Sequence, residues 1–431
     1  MLSRPDRALA ARDPRLTALP VLLDRLALQE WLSTLLGADL HVRPRYLRYK
    51  PGTSCVAAIE VTGHAGVSPP DALASVPVTP AGSRTVIVTA HGPDGVRKLG
   101  KTVDRAPRGS VLAADQPLNA IVTTVIADRD LPAVAAWHDR TRTERAVQRA
   151  TRGAVGGLQR GTGVRQLAYK PQRRWVGTVR SDDGADLLLR AYRPRDLAAA
   201  TDRVRALERA GAPTPRLLGR CTRSGLAVLE FRHGAPLEGS APAADLAAVG
   251  AALGALHATP ADLPVRDQRS DLAGARRTTQ QVTVLLPHLA ERVDRLTTAL
   301  TERWPTPDAG GQVSLHGDFS LDQVVRTGAG TVGLIDLDHA ARGQAEVDLA
   351  SLGAQAVLDG ATEPETLMAA VAAGYPDEPD PARLRLHLAA QLLRRAAEPF
   401  RSMRGDWAER TEDVLVRVEG LLRHGRLGVA S

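Results

Sequence analysis

Apolar residues recur at helical spacing near the start of the chain and then at strand spacing. Residues 20–36 (PVLLDRLALQEWLSTLL) predict an amphipathic helix. Residues 45–61 (RYLRYKPGTSCVAAIEV) alternate and are rich in β-branched side chains, which predicts two short strands. A Pro- and Gly-rich loop at 66–83 is followed by predicted strands at 85–93 and 119–132, with a helix between them. This part of the chain therefore predicts a small α+β domain.

The same strand pattern occurs a second time. The triplet Tyr-Lys-Pro at 49–51 returns at 169–171, an offset of 120 residues. Residues 186–194 (DLLLRAYRP) then resemble the strand TVIVTAHGP of the first part, and residues 225–237 (GLAVLEFRHGAPL) resemble its last strand. Three segments that match in order predict a duplication. Chance similarity between short apolar strands is the alternative.

Between the two copies, residues 139–163 combine a polar helix with a Gly-rich stretch. This stretch contains GxxxxG without the lysine that a Walker A loop requires, so we interpret it as a connection. After residue 237 the apolar spacing becomes helical, as at 245–257, 284–296 and 383–400. Strands followed by helices, without βαβ alternation, predict a two-lobed α+β domain.

Composition narrows the possible partners. The net charge of +8 comes almost entirely from arginines spread along all 431 residues, and aromatic residues make up only 3%. Nucleic-acid binding would favour clustered basic and aromatic residues, so we expect no nucleic-acid partner. Cys55 and Cys221 lack the spacing of a zinc site or a disulfide framework. Without a signal peptide or an 18-residue apolar stretch, we expect a cytoplasmic protein with no membrane partner.

The most informative stretch is SLHGDFSLDQVVRTGAGTVGLIDLDHAARGQAEVDLASL at 314–352. Asp318 follows His-Gly in a loop, a hairpin that turns at Gly328 to Gly330 comes next, and Asp336 lies at the far end of the hairpin. Two carboxylates on flanking loops can meet over one phosphate-bound metal ion. One of them can accept a proton from a hydroxyl group while the other holds Mg²⁺.

This stretch resembles the catalytic core of aminoglycoside phosphotransferases and the related choline, fructosamine and maltose kinases, which share the protein-kinase fold. The family pattern is HGDxxxxN, a β-hairpin, Ile-Asp and a later Asp-Leu-Ala. The resemblance implies that Asp318 is the catalytic base, that Asp336 binds Mg²⁺, and that Gln323 occupies the position of the metal-binding Asn. It also implies that Asp348 holds the catalytic loop and caps a helix.

Further residues are assigned by the same resemblance, which covers roughly residues 165 to 431. Asp338 adds a second carboxylate that could reach the metal ion, whereas Leu337 replaces the usual aromatic residue. His316 is grouped with the catalytic residues, but we expect it to bond the loop backbone and not to act as a base. Glu230 lies in the segment that fits the hinge, and we assign it to nucleotide binding.

The chain departs from the family pattern at two positions, one expected to bind the phosphates and one expected to bind the metal ion. Where the family has a lysine on the third strand of the N-lobe, this chain has Arg190, a planar and permanently charged group. Lys170 on the first strand is a possible substitute, and Glu208 is the residue that we expect to pair with Arg190. The turn KPQRR between the first two strands lacks glycines that could cover phosphates. Gln323 is longer than Asn but still offers the oxygen that Mg²⁺ binds.

The predicted fold class is therefore α+β: a bilobal protein-kinase-like fold preceded by a second N-lobe-like domain. The predicted domains are an N-terminal α+β domain at 1–150, a linker at 151–164, an N-lobe with hinge at 165–237, and a helical C-lobe at 238–431.

We expect an enzyme that uses ATP and Mg²⁺ to phosphorylate a hydroxyl group of a small molecule such as an antibiotic, a sugar or a related metabolite. A kinase that acts on Ser or Thr of a natural-product precursor peptide is one alternative. The departures at Arg190 and Gln323 and the missing glycines support another, a pseudokinase that serves as a binding or scaffold module.

The first copy is expected to bind no nucleotide. Thr89 stands where the second copy has Arg190, and its neutral side chain is too short to reach a phosphate. The second copy begins before any HGD or Ile-Asp segment follows, so the first copy lacks metal-binding carboxylates. We therefore expect a structural role for residues 1–150, with an unrelated α+β cap domain as the alternative.

Overall fold

The computed structural model describes residues 2–63, 73–74, 76–304, 311–328, 330–360 and 364–424. The predicted loop at 66–83 lies partly outside the described residues, as do Ala329 of the hairpin turn and the last seven residues of the predicted C-lobe. The chain forms two compact units. The first contains residues up to 198 together with 217–231 and 401–405, and the second contains 199–216, 232–400 and the residues from 406 onward.

The first unit begins with three helices and an antiparallel sheet of five strands in the order β1-β2-β3-β5-β4. The elements are α1 (Arg4–Arg12), α2 (Leu19–Leu23), α3 (Arg25–Leu36), β1 (Leu40–Lys50), β2 (Ser54–Gly63), β3 (Arg84–His91), α4 (Val96–Arg105), β4 (Val111–Asp115) and β5 (Ala120–Thr124). The helix predicted at 20–36 is divided in two, because the carboxylate of Asp24 accepts hydrogen bonds from the first free amides of α3 and starts a new helix.

A second sheet in the same unit repeats this order as β6-β7-β8-β10-β9. Its elements are α5 (Arg140–Thr151), β6 (Arg165–Lys170), β7 (Arg174–Arg180), β8 (Asp186–Tyr192), β9 (Leu217–Cys221) and β10 (Leu226–Glu230). The strand register is also repeated, because Thr89 lies opposite Val56 and Arg190 lies opposite Val176. The predicted second N-lobe-like domain is thereby confirmed, and Thr89 is the structural counterpart of Arg190.

Both copies have the same tyrosine–aspartate hydrogen bond at the end of their first strand. At the end of β1, the Tyr49 hydroxyl donates to Asp13 Oδ2 at 2.8 Å, and the backbone amide of Gly52 donates to the same oxygen at 2.7 Å. At the end of β6 the equivalent bonds, both 2.7 Å long, run from the Tyr169 hydroxyl and the Gln172 amide to Asp128 Oδ2. Such long-range correspondence is not expected from chance similarity between apolar strands.

The repeat extends to the helix that precedes each sheet, which the sequence comparison missed. Helices α3 and α5 each have 12 residues, begin at an aspartate cap (Asp24 and Asp139) and end at a residue in the left-handed region (Gly37 and Arg152). The polar helix interpreted above as part of a connection is thus an element of the second copy. Helix α5 has few apolar side chains, and the two copies were matched by their hydrophobic periodicity, so this part of the repeat was not recognisable in the sequence.

The core of the second sheet includes residues on both sides of the predicted linker 151–164. Val147 on α5 packs in one cluster with Trp175 and Leu189 of the sheet. Within the linker, Leu158 is 3% exposed and forms a β-bridge with Ser181. This segment is therefore packed against the second sheet.

Helix α6 (Pro194–Arg209) leads into the second unit, which is largely helical. Its helices are α7 (Ala243–His257), α8 (Gln268–Leu285), α9 (Ala290–Arg303), α10 (Glu346–Asp359), α11 (Pro364–Ala372), α12 (Pro381–Arg395), α13 (Glu398–Arg401) and α14 (Trp407–His424). The helix predicted at 284–296 is interrupted between α8 and α9, where Pro287 lacks the amide hydrogen that a continuous helix requires.

Among its described residues, the second unit also contains five short strands: β11 (Ala235–Pro236), β12 (Val313–Leu315), β13 (Val324–Gly328), β14 (Thr331–Leu334) and β15 (Ala341–Gly343). Strand β13 pairs with β11 and β14, and β12 pairs with β15. The predicted α+β class is confirmed. Within the described ranges, no helix is both long enough and apolar enough to cross a lipid bilayer.

Candidate active site

The short strands bring the two predicted catalytic segments to the same place. Asp318 follows β12 by three residues, and Asp336 follows β14 by two. The hairpin β13–β14 between them is extended by a hydrogen bond of 2.9 Å from the Ile335 amide to the carbonyl oxygen of Gln323. Gln323 and Asp336 are therefore held at neighbouring positions at the base of one hairpin.

His316 connects the loop of Asp318 with the segment of Asp336. Its Nε2 atom donates a hydrogen bond of 2.8 Å to the carbonyl oxygen of Ile335, the residue before Asp336. The side chain is fully buried. Because its N–H group is used by a backbone carbonyl, His316 acts here as a fixed link between two loops.

Asp348, at the start of α10, anchors the catalytic loop through its backbone. It is fully buried, and its carboxylate accepts from the amides of His316 at 2.7 Å and Gly317 at 2.9 Å. It also accepts a 3.0 Å bond from His257 Nε2, while His257 Nδ1 accepts a 2.6 Å bond from the Tyr375 hydroxyl. These contacts place the loop relative to α7 and α10.

The charge of Asp348 is maintained by its partners. Burial by itself would raise the pKa of this carboxyl, but the hydrogen bond from His257 and the electrostatic influence of the His257 and His316 imidazoles outweigh burial, so that the pKa lies below its usual value. The amide of Gly317 lowers it further. A buried carboxylate that stays ionised is a strong acceptor, which favours a rigid loop.

Gly317 is required by the close approach of two backbone segments. It adopts a φ angle of 88°, and a Cβ atom at this position would lie 2.0 Å from the carbonyl oxygen of His339. A residue with a side chain would have to move one of the two loops. The glycine of the HGD motif therefore allows Asp318 and the segment after Asp336 to approach each other.

Asp318 is paired with an arginine that the sequence analysis did not identify. Arg395 at the end of α12 donates through Nη2 to Asp318 Oδ1 and to Ser351 Oγ, both at 2.8 Å, and through Nη1 to Gln391 Oε1 at 2.5 Å. The side chain of Arg395 is 12% exposed, whereas that of Asp318 is 48% exposed. One carboxylate oxygen of Asp318 is thus held by a fixed cation while the side chain remains accessible.

The predicted metal ligands lie around the base of the hairpin. Asp336 has a φ angle of 64°, a left-handed conformation that is uncommon for residues other than glycine and is found preferentially at functional sites. Asp338 is 4% exposed, and its carbonyl oxygen accepts a 3.2 Å bond from Arg203 on α6. The sequence analysis assigned no role to Arg203.

The donor atoms present here fit Mg²⁺. Gln323 Oε1 is buried and has no hydrogen-bond partner among the described residues, so an oxygen acceptor is left for another ligand. Carboxylate and amide oxygens are the groups that Mg²⁺ binds in proteins. In the described ranges, no group of three or more His, Cys, Asp or Glu side chains is arranged to hold a metal ion.

The predicted nucleotide-binding residues lie on several elements. Arg190 is 4% exposed on β8, and its Nη1 atom donates to the Tyr192 hydroxyl at 3.5 Å. Lys170 is exposed at the end of β6, Glu230 is exposed at the end of β10, and Glu208 is half-buried on α6. Their roles in nucleotide binding, and the pairing of Glu208 with Arg190, stay predictions.

Two residues of the site have no recognisable sequence signal. Arg395 is one of two consecutive arginines on an amphipathic helix, a pattern typical of a solvated helix face. His257 is the last residue of α7, the helix predicted at 245–257, and the apolar spacing of that helix does not indicate that the histidine is buried. Both act across long sequence separations, 77 residues to Asp318 and 91 residues to Asp348.

Comparison with known proteins identifies a family and several solved structures that resemble part of the chain. The model of the phosphotransferase enzyme family matches residues 169–387. Among solved structures, aminoglycoside phosphotransferase APH(3'')-Id from Streptomyces rimosus is 23% identical, with 59% of this chain and 98% of that chain covered and a TM-score of 0.45. No curated protein matches the chain in sequence.

Two further solved structures show the same range of similarity. Choline kinase LicA from Streptococcus pneumoniae is 14% identical, covers 65% of this chain and 98% of its own, and has a TM-score of 0.47. A choline/ethanolamine kinase family protein from Mesorhizobium loti is 18% identical, with 63% of this chain and 90% of that chain covered and a TM-score of 0.43.

Proposed function

This chain belongs to the phosphotransferase enzyme family, and we propose that it transfers the γ-phosphoryl group of ATP to a hydroxyl group of a small molecule. The proposal assigns the role of general base to Asp318. It is supported by one observation above all: the carboxylate of Asp318 is oriented by Arg395 at 2.8 Å and yet remains 48% exposed. A base must be fixed and accessible at the same time.

The surrounding contacts support this role. Asp348 fixes the backbone on the N-terminal side of Asp318, and His316 ties the same loop to the residue before Asp336. Phosphoryl transfer depends mainly on positioning and charge stabilisation. A network that couples the proposed base to the proposed metal ligands meets that requirement.

In the proposed reaction Asp318 accepts the proton that the acceptor hydroxyl loses as its oxygen bonds to phosphorus and ADP departs. Arg395 orients the carboxylate through its contact with Oδ1. Asp336, Asp338 and Gln323 would hold Mg²⁺, whose charge, when the ion is bound, offsets that of the phosphates. Arg190 and Lys170 would contribute positive charge to phosphate binding, and Glu208 and Glu230 would complete the nucleotide site.

The test is ADP release from ATP and Mg²⁺ in the presence of sugars, aminoglycosides, other hydroxylated metabolites and Ser-containing peptides. With an accepted compound, Asp318→Asn should lower turnover by about 10²–10⁴-fold, the usual contribution of a general base, and leave nucleotide affinity nearly unchanged. Asp322→Asn, an exposed aspartate in the same loop, is the matched control. Equal turnover of wild type and Asp318→Asn would refute the assignment, and phosphorylation of peptides alone would favour a peptide acceptor.

A further inference from the structure

A cavity of about 760 Å³ lies within the second unit, and none of the residues assigned above to catalysis, metal binding or nucleotide binding lines it. Its wall contains the beginning of α8, the end of α9, the beginning of α12 and the end of α14. Five arginines and three aspartates line it, which gives an excess of positive charge. The arginines are Arg266, Arg303, Arg383, Arg385 and Arg423. We refer to this space as the arginine-lined cavity.

The three aspartates are already engaged by the protein. Asp267 caps α8 by accepting from Ser270 N at 2.9 Å and Ser270 Oγ at 2.7 Å, and Asp380 caps α12 by accepting from the Arg383 amide at 2.8 Å. Asp271 is 1% exposed and accepts from Arg266 Nη2 at 2.6 Å and Arg394 Nη1 at 2.7 Å. Asp271 is thus engaged by two arginines, whereas Asp267 and Asp380 each hold the N-terminus of a helix.

Three of the arginines reach the cavity from separate helices and lie outside the close ion pairs described above. Arg303, Arg385 and Arg423 come from three different helices, and in the described part of the chain none of them forms an ion pair. Like charges that face one cavity repel one another, a penalty that solvent moderates here because Arg303 and Arg423 are exposed. An anion bound between them would remove this penalty and could accept bidentate hydrogen bonds from each guanidinium group.

The remaining wall suits an organic anion. Leu386, Leu421 and Leu422 contribute apolar surface, and Trp304 packs edge-on against His387 with ring centroids 4.9 Å apart. Burial lowers the pKa of His387 to about 4, so this imidazole is neutral near pH 7 and the positive charge is that of the arginines. A cavity with a mixed apolar wall and a few charged groups is typical of small-molecule sites.

We propose that the arginine-lined cavity is a binding site for a small organic anion that carries carboxylate or phosphate groups. The site is adjacent to the catalytic loop, because Arg266 lines the cavity and also donates through Nη1 to the carbonyl oxygen of Gly317 at 2.5 Å. The positive wall disfavours polycationic ligands such as aminoglycosides. The proposal goes beyond the proposed reaction, since it concerns binding and not phosphoryl transfer.

The test uses the full chain without nucleotide, with citrate and inorganic phosphate as probes in calorimetric titrations at constant ionic strength. Saturable binding of at least one probe is expected, and the two probes distinguish carboxylate from phosphate as the preferred group. Arg385→Gln should weaken binding by about tenfold, the cost of one charge-assisted contact. Kanamycin should not displace the probe.

Two matched variants separate this proposal from the catalytic one. Arg277→Gln removes an exposed arginine of α8 that does not line the cavity and should leave probe binding unchanged. Asp318→Asn should also bind the probe with the affinity of the wild type, whether or not Asp318 is the base. Absence of saturable binding, equal affinities of Arg385→Gln and Arg277→Gln, or displacement by kanamycin would overturn the proposal.

Discussion

Arg395 Nη2 lies 2.8 Å from Asp318 Oδ1, although 77 residues separate the two in sequence. The arginine is itself fixed by Ser351 and Gln391, so its position does not depend on Asp318 alone. A planar guanidinium held in this way defines the rotamer of the carboxylate that it contacts. Helix α12 thereby contributes directly to the geometry of the proposed base.

Replacement of this arginine should therefore affect catalysis more than nucleotide binding. We expect Arg395→Met to lower kcat by about 10²-fold, the cost of a misplaced reacting group, while the affinity for ATP changes little. Steady-state kinetics together with nucleotide titration measure the two effects separately. Arg292→Met, which removes another arginine–carboxylate pair of the second unit, is the control and should keep its kcat. A similar kcat for both variants would exclude positioning by Arg395.

The catalytic loop should not tolerate a side chain at residue 317. In Gly317→Ala the new Cβ would approach the His339 carbonyl oxygen, and the φ angle of 88° disfavours any residue other than glycine. We expect a lower melting temperature and loss of ADP release. Gly163→Ala, where no atom lies within 4 Å of the added Cβ, should behave as the wild type. Full activity of Gly317→Ala would show that the loop can rearrange.

Buried His387 should make stability depend on pH in mildly acidic solution. Its pKa falls from 6.5 to about 4 on folding because of burial, so between these values the unfolded chain binds more protons than the folded one. The stabilising effect of the neutral imidazole is complete above pH 6.5 and is lost as the pH falls towards 4. At pH 5 the loss relative to pH 7.5 is about 2 kcal/mol.

Urea unfolding at pH 7.5 and at pH 5 measures this dependence. His387→Gln should lose less free energy of unfolding on acidification than the wild type does, although it is less stable at pH 7.5. His288→Gln, at a position where the side chain is 62% exposed, serves as the control. An unchanged pH dependence in His387→Gln would mean that other groups dominate acid unfolding.

Substitutions at equivalent positions of the two copies should have different effects on the affinity for ATP. Because Thr89 and Arg190 occupy the same place in the two sheets, Thr89→Ala should leave ATP affinity unchanged, whereas Arg190→Ala should weaken it. Titration of the full chain should give one ATP per chain. A stoichiometry of two, or equal effects of both substitutions, would contradict a structural role for the first copy.

Much of the site was predictable from sequence because its chemistry is local. Asp318, Gln323 and Asp336 lie in one continuous stretch of sequence, before, at the start of and after a single hairpin. The strands of the two copies were likewise predictable, since alternation of apolar residues follows from the geometry of a half-buried strand. The equivalence of Thr89 and Arg190 followed from aligning those strands.

Other features were decided by the tertiary structure. Helix α5 carries mostly polar residues, and only its packing against Trp175 and Leu189 shows that it belongs to the second copy. The arginine that contacts Asp318 and the histidine that contacts Asp348 are likewise defined by helices far away in sequence. Periodicity records which face of an element is buried, but not which element covers it. The partner of a charged or polar side chain depends on that packing, so residues distant in sequence acquire their roles only in the folded chain.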